Sequence, residues 1–139
     1  MNSRPHALFT LTLVLASSAS YACGYCVEDR IASVYDHAVV SQALSRKHQV
    51  AFFAINGPLA ASSGQQQRIE RIALTGKGVD PGSARVAIET AVLAVAFDPR
   101  AAPLVAVEAS LQSKLALKGL SVQRLRLIDK AGELKAPQP

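Results

Sequence analysis

Between Val27 and Lys47, apolar residues recur at spacings of three and four. Val27, Ile31, Val34 and Ala38 form a stripe, and Glu28, Asp29, Arg30, Ser33, Asp36 and His37 fall mostly away from it. That period predicts one amphipathic helix over 27–47. Acids in its first turn and Arg46, Lys47 and His48 at its end match the helix dipole. Its second half, Val39 to Leu44, is apolar on more than one side, which predicts packing against a larger body. The pattern changes at Gln49. The stretch Gln49 to Asn56 is rich in β-branched and aromatic residues and stops at Asn56-Gly57-Pro58, so it reads as a strand and a turn. A Ser-rich loop, Ala60 to Gly64, leads into a second helix from about Gln65 to Leu74, with Ile69, Ile72 and Ala73 inward. Gly76, Gly78 and Pro81-Gly82 interrupt the chain, and Ala84 to Phe97 then alternates as a hairpin with its tip at Glu89-Thr90-Ala91. A third helix, Pro103 to Lys118, carries Leu104, Val107, Leu111 and Leu115 and is closed by Gly119. Ser121 to Ile128 is the last strand.

After the leading helix the order is therefore β, α, β, β, α, β. In about 80 residues that order is most economically an α+β ferredoxin-like sandwich: a four-stranded antiparallel sheet with two helices on one face. The helix before it is an additional N-terminal element. The expected organisation is 1–22 as an export signal, 23–48 as the thiol motif and leading helix, 49–128 as the sandwich and 129–139 as a polar tail.

The export signal rests on three adjacent features. Met1 to His6 carries Arg4 and no acid, Ala7 to Ala16 has no charge, and Ser20-Tyr21-Ala22 offers small residues at the two positions a signal peptidase inspects. The apolar run is shorter than the roughly 20 residues a bilayer requires. Cleavage after Ala22 leaves 117 of the 139 residues, enough for one domain. The expected location is the periplasm or the exterior, with lipidation of Cys23 as a second outcome. The formal net charge is +5 over the whole chain, without a long basic run or any Trp. Those features and the signal argue against nucleic acid, and no later stretch predicts a stable membrane span.

Arg68-Ile69-Glu70-Arg71-Ile72-Ala73-Leu74, Gly78-Val79 and the stretch from Val86 to Phe97-Asp98-Pro99 together resemble the heavy-metal-associated domain of copper chaperones, metal-pumping ATPases and periplasmic mercury-binding proteins. The resemblance covers Gln49 to Ile128. It implies a ferredoxin-like fold and a metal site at a CxxC between the first strand and the first helix of that domain. Anchoring on Arg68-Ile69-Glu70 places the two ligand positions at Ser62 and Gln65, which supply no thiolate. Gly57-Pro58-Leu59-Ala60-Ala61 and a short insertion between Val79 and Val86 also depart from the family pattern. The family's metal loop is therefore not carried over.

The chain has its own thiol pair, Cys23-Gly24-Tyr25-Cys26, immediately after the expected cleavage point. Two residues between cysteines let both sulfurs reach one ion, and soft thiolates suit Cu(I), Zn(II) or Hg(II). Cu(I) or Zn(II) is the expected cofactor, and a metal ion or another envelope protein the expected partner. After cleavage the α-amine of Cys23 adds a nitrogen beside its sulfur. The same four residues also resemble the active site of thioredoxin-like disulfide isomerases, which leaves a redox role open, and a plain disulfide in a non-catalytic interaction module is the third reading. His37 lies about 16 Å beyond Cys26 along a continuous helix, and His48 farther, so neither is expected at the same ion. Glu28 and Asp29 are near enough to coordinate but serve the helix start more simply. Glu70, Glu89, Asp98 and Glu108 are scattered, and Gly76-Lys77-Gly78 lacks phosphate-loop spacing, so no enzymatic turnover is expected.

Overall fold

The computed structural model describes residues 26–130. The expected signal, Cys23 and the tail from residue 131 onward lie outside the described residues. In chain order the elements are α1 (Val27–Ala32), α2 (His37–Ser45), β1 (Gln49–Asn56), α3 (Ser63–Leu74), β2 (Arg85–Ala87), β3 (Val92–Phe97), α4 (Leu104–Ala116) and β4 (Ser121–Ile128). The strands form one four-stranded sheet in the order β2-β3-β1-β4, with every neighbouring pair antiparallel.

Both faces of this sheet are covered. On one face Phe53, Ile55, Leu93, Val95 and Phe97 pack with Ile69 and Ala73 of α3 and with Val107, Leu111 and Leu115 of α4. On the other, Val50, Phe52, Val92, Ala94 and Ala96 pack with Ile31 and Val34 from the α1 region and with Val40 and Ala43 of α2. All six residues of β3 are buried for this reason, as are six consecutive residues of β1. A central strand that is apolar at every position is what two covered faces require.

The single helix expected over 27–47 is two helices. Its apparent stripe runs through the break, but the ends of that stripe, Val27 and Ala38, are exposed, and burial falls instead on Ile31, Val34, Val40 and Ala43. Asp36 makes the break. Its backbone is extended, and its side chain accepts the amides of Ala38 and Val39 at 3.0 and 3.2 Å, capping α2. The other carboxylate oxygen takes Arg85 Nε of β2 at 2.9 Å. α2 then ends with Lys47 in the left-handed region, where Lys47 N and His48 N return to the carbonyls of Leu44 and Ala43. Gly119 closes α4 by the same turn, with its own amide and that of Leu120 returning to Ala116 and Leu115.

A bulge on β4 decides where two arginines go. The register against β1 shifts between Phe52 and Phe53, so Arg126 lies opposite Phe52 and Arg124 opposite Phe53. In an unbroken strand, residues two apart share a face. Here the extra residue sends Arg124 toward Glu108 of α4 and Arg126 toward Glu28 of α1.

The cap at Asp36 yields a pH-dependent expectation. The Val39 amide and, against some desolvation, the Arg85 guanidinium hold its carboxyl below the usual carboxylate range. A lowered folded-state pKa stabilises the fold fully above the unfolded value near ~3.9, and that gain disappears as pH falls through the folded value. Asp36→Ala is expected to cost about 1–2 kcal/mol in chemical denaturation at neutral pH. The gap to the parent protein should close only under acid conditions.

Candidate functional site

Cys26 is exposed and occupies the N-cap position of α1, with its Sγ donating to Asp29 Oδ2 at 3.2 Å. α1 has only six residues, too few to be stable alone. Three tertiary attachments fix it. Arg30 reaches the turn between β2 and β3, donating from Nε to Thr90 O at 3.1 Å and from a terminal nitrogen to Ala91 O at 3.0 Å. Ser33 Oγ meets Thr90 Oγ1 at 2.6 Å. Glu28 forms a two-pronged pair with Arg126 of β4, and that guanidinium lowers the Glu28 pKa. Ile31 and Val34 bury the inner side of the segment. The exposed thiol therefore stands on a segment anchored to the sheet at both its β4 edge and its hairpin tip.

Of the other residues singled out in the sequence, Asp29 stands beside this thiol, and Glu28, His37, Ser62 and Gln65 have partners of their own. Glu28 belongs to the ion pair with Arg126, and Asp29 is the carboxylate that meets Cys26. His37 opens α2 beyond the Asp36 break, so the 16 Å separation along a continuous helix does not describe it; its Nε2 lies 3.3 Å from Ser41 Oγ. Ser62 caps α3, accepting Gln65 N at 3.2 Å. The Gln65 side chain accepts the Ala60 amide and donates to Pro58 O, so it ties the loop after β1 together. A hydroxyl and an amide thus hold this loop, and neither position supplies a thiolate.

One cluster had no signature in the sequence. His48, Asp80 and Asp98 come from three separate segments and meet at one end of the sheet. His48 Nδ1 lies 2.7 Å from Asp80 Oδ2, and Nε2 lies 3.7 Å from Asp98 Oδ2. Asp98 also accepts from Arg100, which with the Arg100 amide lowers its pKa. The carboxylates occupy opposite nitrogens of the ring, so they bracket it and do not converge on a common point. Among the described residues no group of three or more His, Cys, Asp or Glu is arranged to hold a metal ion. The cluster fastens the start of β1 to the segments before and after β2 and β3. In the sequence His48 was legible only as the last of three basic residues, Arg46, Lys47 and His48, at a helix end.

Compared with protein-family models, curated proteins and solved structures, the chain has no significant match. No helix among the described residues is long and apolar enough to cross a membrane.

The bracket is expected to be structural. His48→Ala should lower stability in urea denaturation by about 2 kcal/mol, because a part-buried carboxylate loses its partner, and should leave the reactivity of Cys26 toward a thiol reagent unchanged in the folded protein.

Proposed function

We propose that this is an exported, non-enzymatic protein that binds or relays a soft transition metal through Cys23 and Cys26. The observation that carries the reading is the exposed Cys26 thiol, held beside a carboxylate on a segment anchored to the sheet. A thiolate ligand must be accessible and must lose its proton to the ion. When a cation replaces that proton, Asp29 is an adjacent negative charge that offsets it. Cys23 precedes Cys26 by three residues, a spacing that allows two sulfurs on one ion. Two thiolates suffice for near-linear Cu(I), whereas Zn(II) requires further donors, for which Asp29 and a free α-amine at Cys23 are suited.

The element order from β1 to β4 and the strand order β2-β3-β1-β4 support a ferredoxin-like reading of 49–128, with α1 and α2 as an addition on its second face. That arrangement and the residues from Arg68 to Pro99 support kinship with heavy-metal-associated domains in which the ion site has moved. Ser62 and Gln65 hold the old loop by hydrogen bonds, and the thiols sit before α1. The segment 1–22 supports delivery to the periplasm or beyond.

Intact-mass analysis of the exported protein under non-denaturing conditions, with and without thiol trapping, tests this reading. The expected species begins at Cys23 and carries one metal ion that is lost in the Cys23→Ser, Cys26→Ser variant. A metal-free species two hydrogens lighter than the dithiol would mean a disulfide and would contradict a resting metal site.

A further inference from the structure

A second site of different chemistry lies at the opposite covering layer, in a cleft of about 420 Å3 between the loop after β1, α3 and the end of α4. Ile69, Ile72 and Leu120 give it an apolar lining, and the exposed Arg68 and Lys118 line it as well. These two cations are 50 positions apart in the chain and are brought to one opening by the packing of α3 against α4. Among the described residues no carboxylate lines the cleft. The two acids of this layer are engaged elsewhere. Glu70 accepts the Val86 amide at 3.1 Å, and Glu108 lies 3.3 Å from Arg124. Neither Arg68 nor Lys118 forms an ion pair with an acid among the described residues.

The remaining polar wall is already satisfied. Ser62 accepts from Gln65 N, and the Gln65 side chain bridges Ala60 and Pro58. A ligand entering the cleft therefore meets two exposed cations, neither paired with an acid among the described residues, beside aliphatic surface. A guanidinium with an ammonium supplies charge-assisted donors to a carboxylate. The volume lies toward the lower end of the roughly 300–1,000 Å3 range of small-molecule pockets.

We propose that this cleft binds a small organic carboxylate with a short aliphatic tail. The carboxylate sits between Arg68 and Lys118, and the tail lies on Ile69, Ile72 and Leu120. Nothing in this assignment depends on Cys23 or Cys26.

Titration of the isotopically labelled, exported protein with hexanoate, followed by two-dimensional amide NMR, tests it. Hexan-1-ol and hexylammonium serve as probes of the tail without the negative charge. The expected result is saturable shifts confined to the amides of 62–72 and 118–120, given by hexanoate and by neither control. Arg68→Gln and Lys118→Gln should each weaken hexanoate binding by about tenfold, the scale of one lost charge-assisted contact. The Cys23→Ser, Cys26→Ser variant should bind hexanoate as the parent does, so loss of the metal site leaves this result standing. Shifts that do not saturate, an equal response to either control, or unchanged affinity in both Gln variants would overturn the assignment.

Discussion

The burial of β1 and β3 on both faces is the constraint from which the rest of the structure follows. Phe52 and Phe53 are adjacent in β1 and must point to opposite sides of the sheet, yet both are fully buried. Neither side can then be left to water. α3 and α4 cover Phe53, and the short α1–α2 pair covers Phe52, whose ring lies parallel to Tyr35 at a centroid distance of 6.4 Å. The second face also carries Ala94 and Ala96 of β3, which pack in the same cluster as Val40 and Ala43 of α2.

This requirement explains how a segment carrying an exposed thiol comes to be part of the domain. A six-residue helix has no stability of its own, and α1 exists because Ile31, Val34, Arg30 and Glu28 tie it to the sheet. The position of Cys26 is thereby a consequence of core packing. On the opposite layer, the same sheet sets α3 beside α4 and so places Arg68 and Lys118 on one cleft. One end of the sheet is fastened separately by the bracket of Asp80 and Asp98 around His48.

Local pattern made much of the element order legible. β1 and β4 run over the residues expected from their β-branched and aromatic content, and α4 follows its stripe of Leu104, Val107, Leu111 and Leu115 to a Gly119 stop. α3 begins two residues earlier than expected because Ser62 is its cap. The expected single leading helix failed because Val27, Ile31, Val34 and Ala38 keep a helical period across a break that Asp36 imposes through its cap and its pair with Arg85. Competition between a periodic pattern and one capping side chain is decided by tertiary partners, which a linear pattern does not contain. The alternation in β3 likewise revealed Leu93, Val95 and Phe97 but hid that Ala94 and Ala96 are buried too. Of the candidate site, the thiol spacing was legible. The Arg30 anchor and the His48 bracket were not, since each joins residues more than 30 positions apart.

The proposed function stands or falls on whether Cys23 and Cys26 supply sulfur to a metal ion. X-ray absorption at the zinc edge, on protein that begins at Cys23 and is loaded with one equivalent of zinc, measures the ligating atoms directly. The account predicts two sulfur neighbours at about 2.3 Å. A shell composed only of nitrogen and oxygen would contradict it.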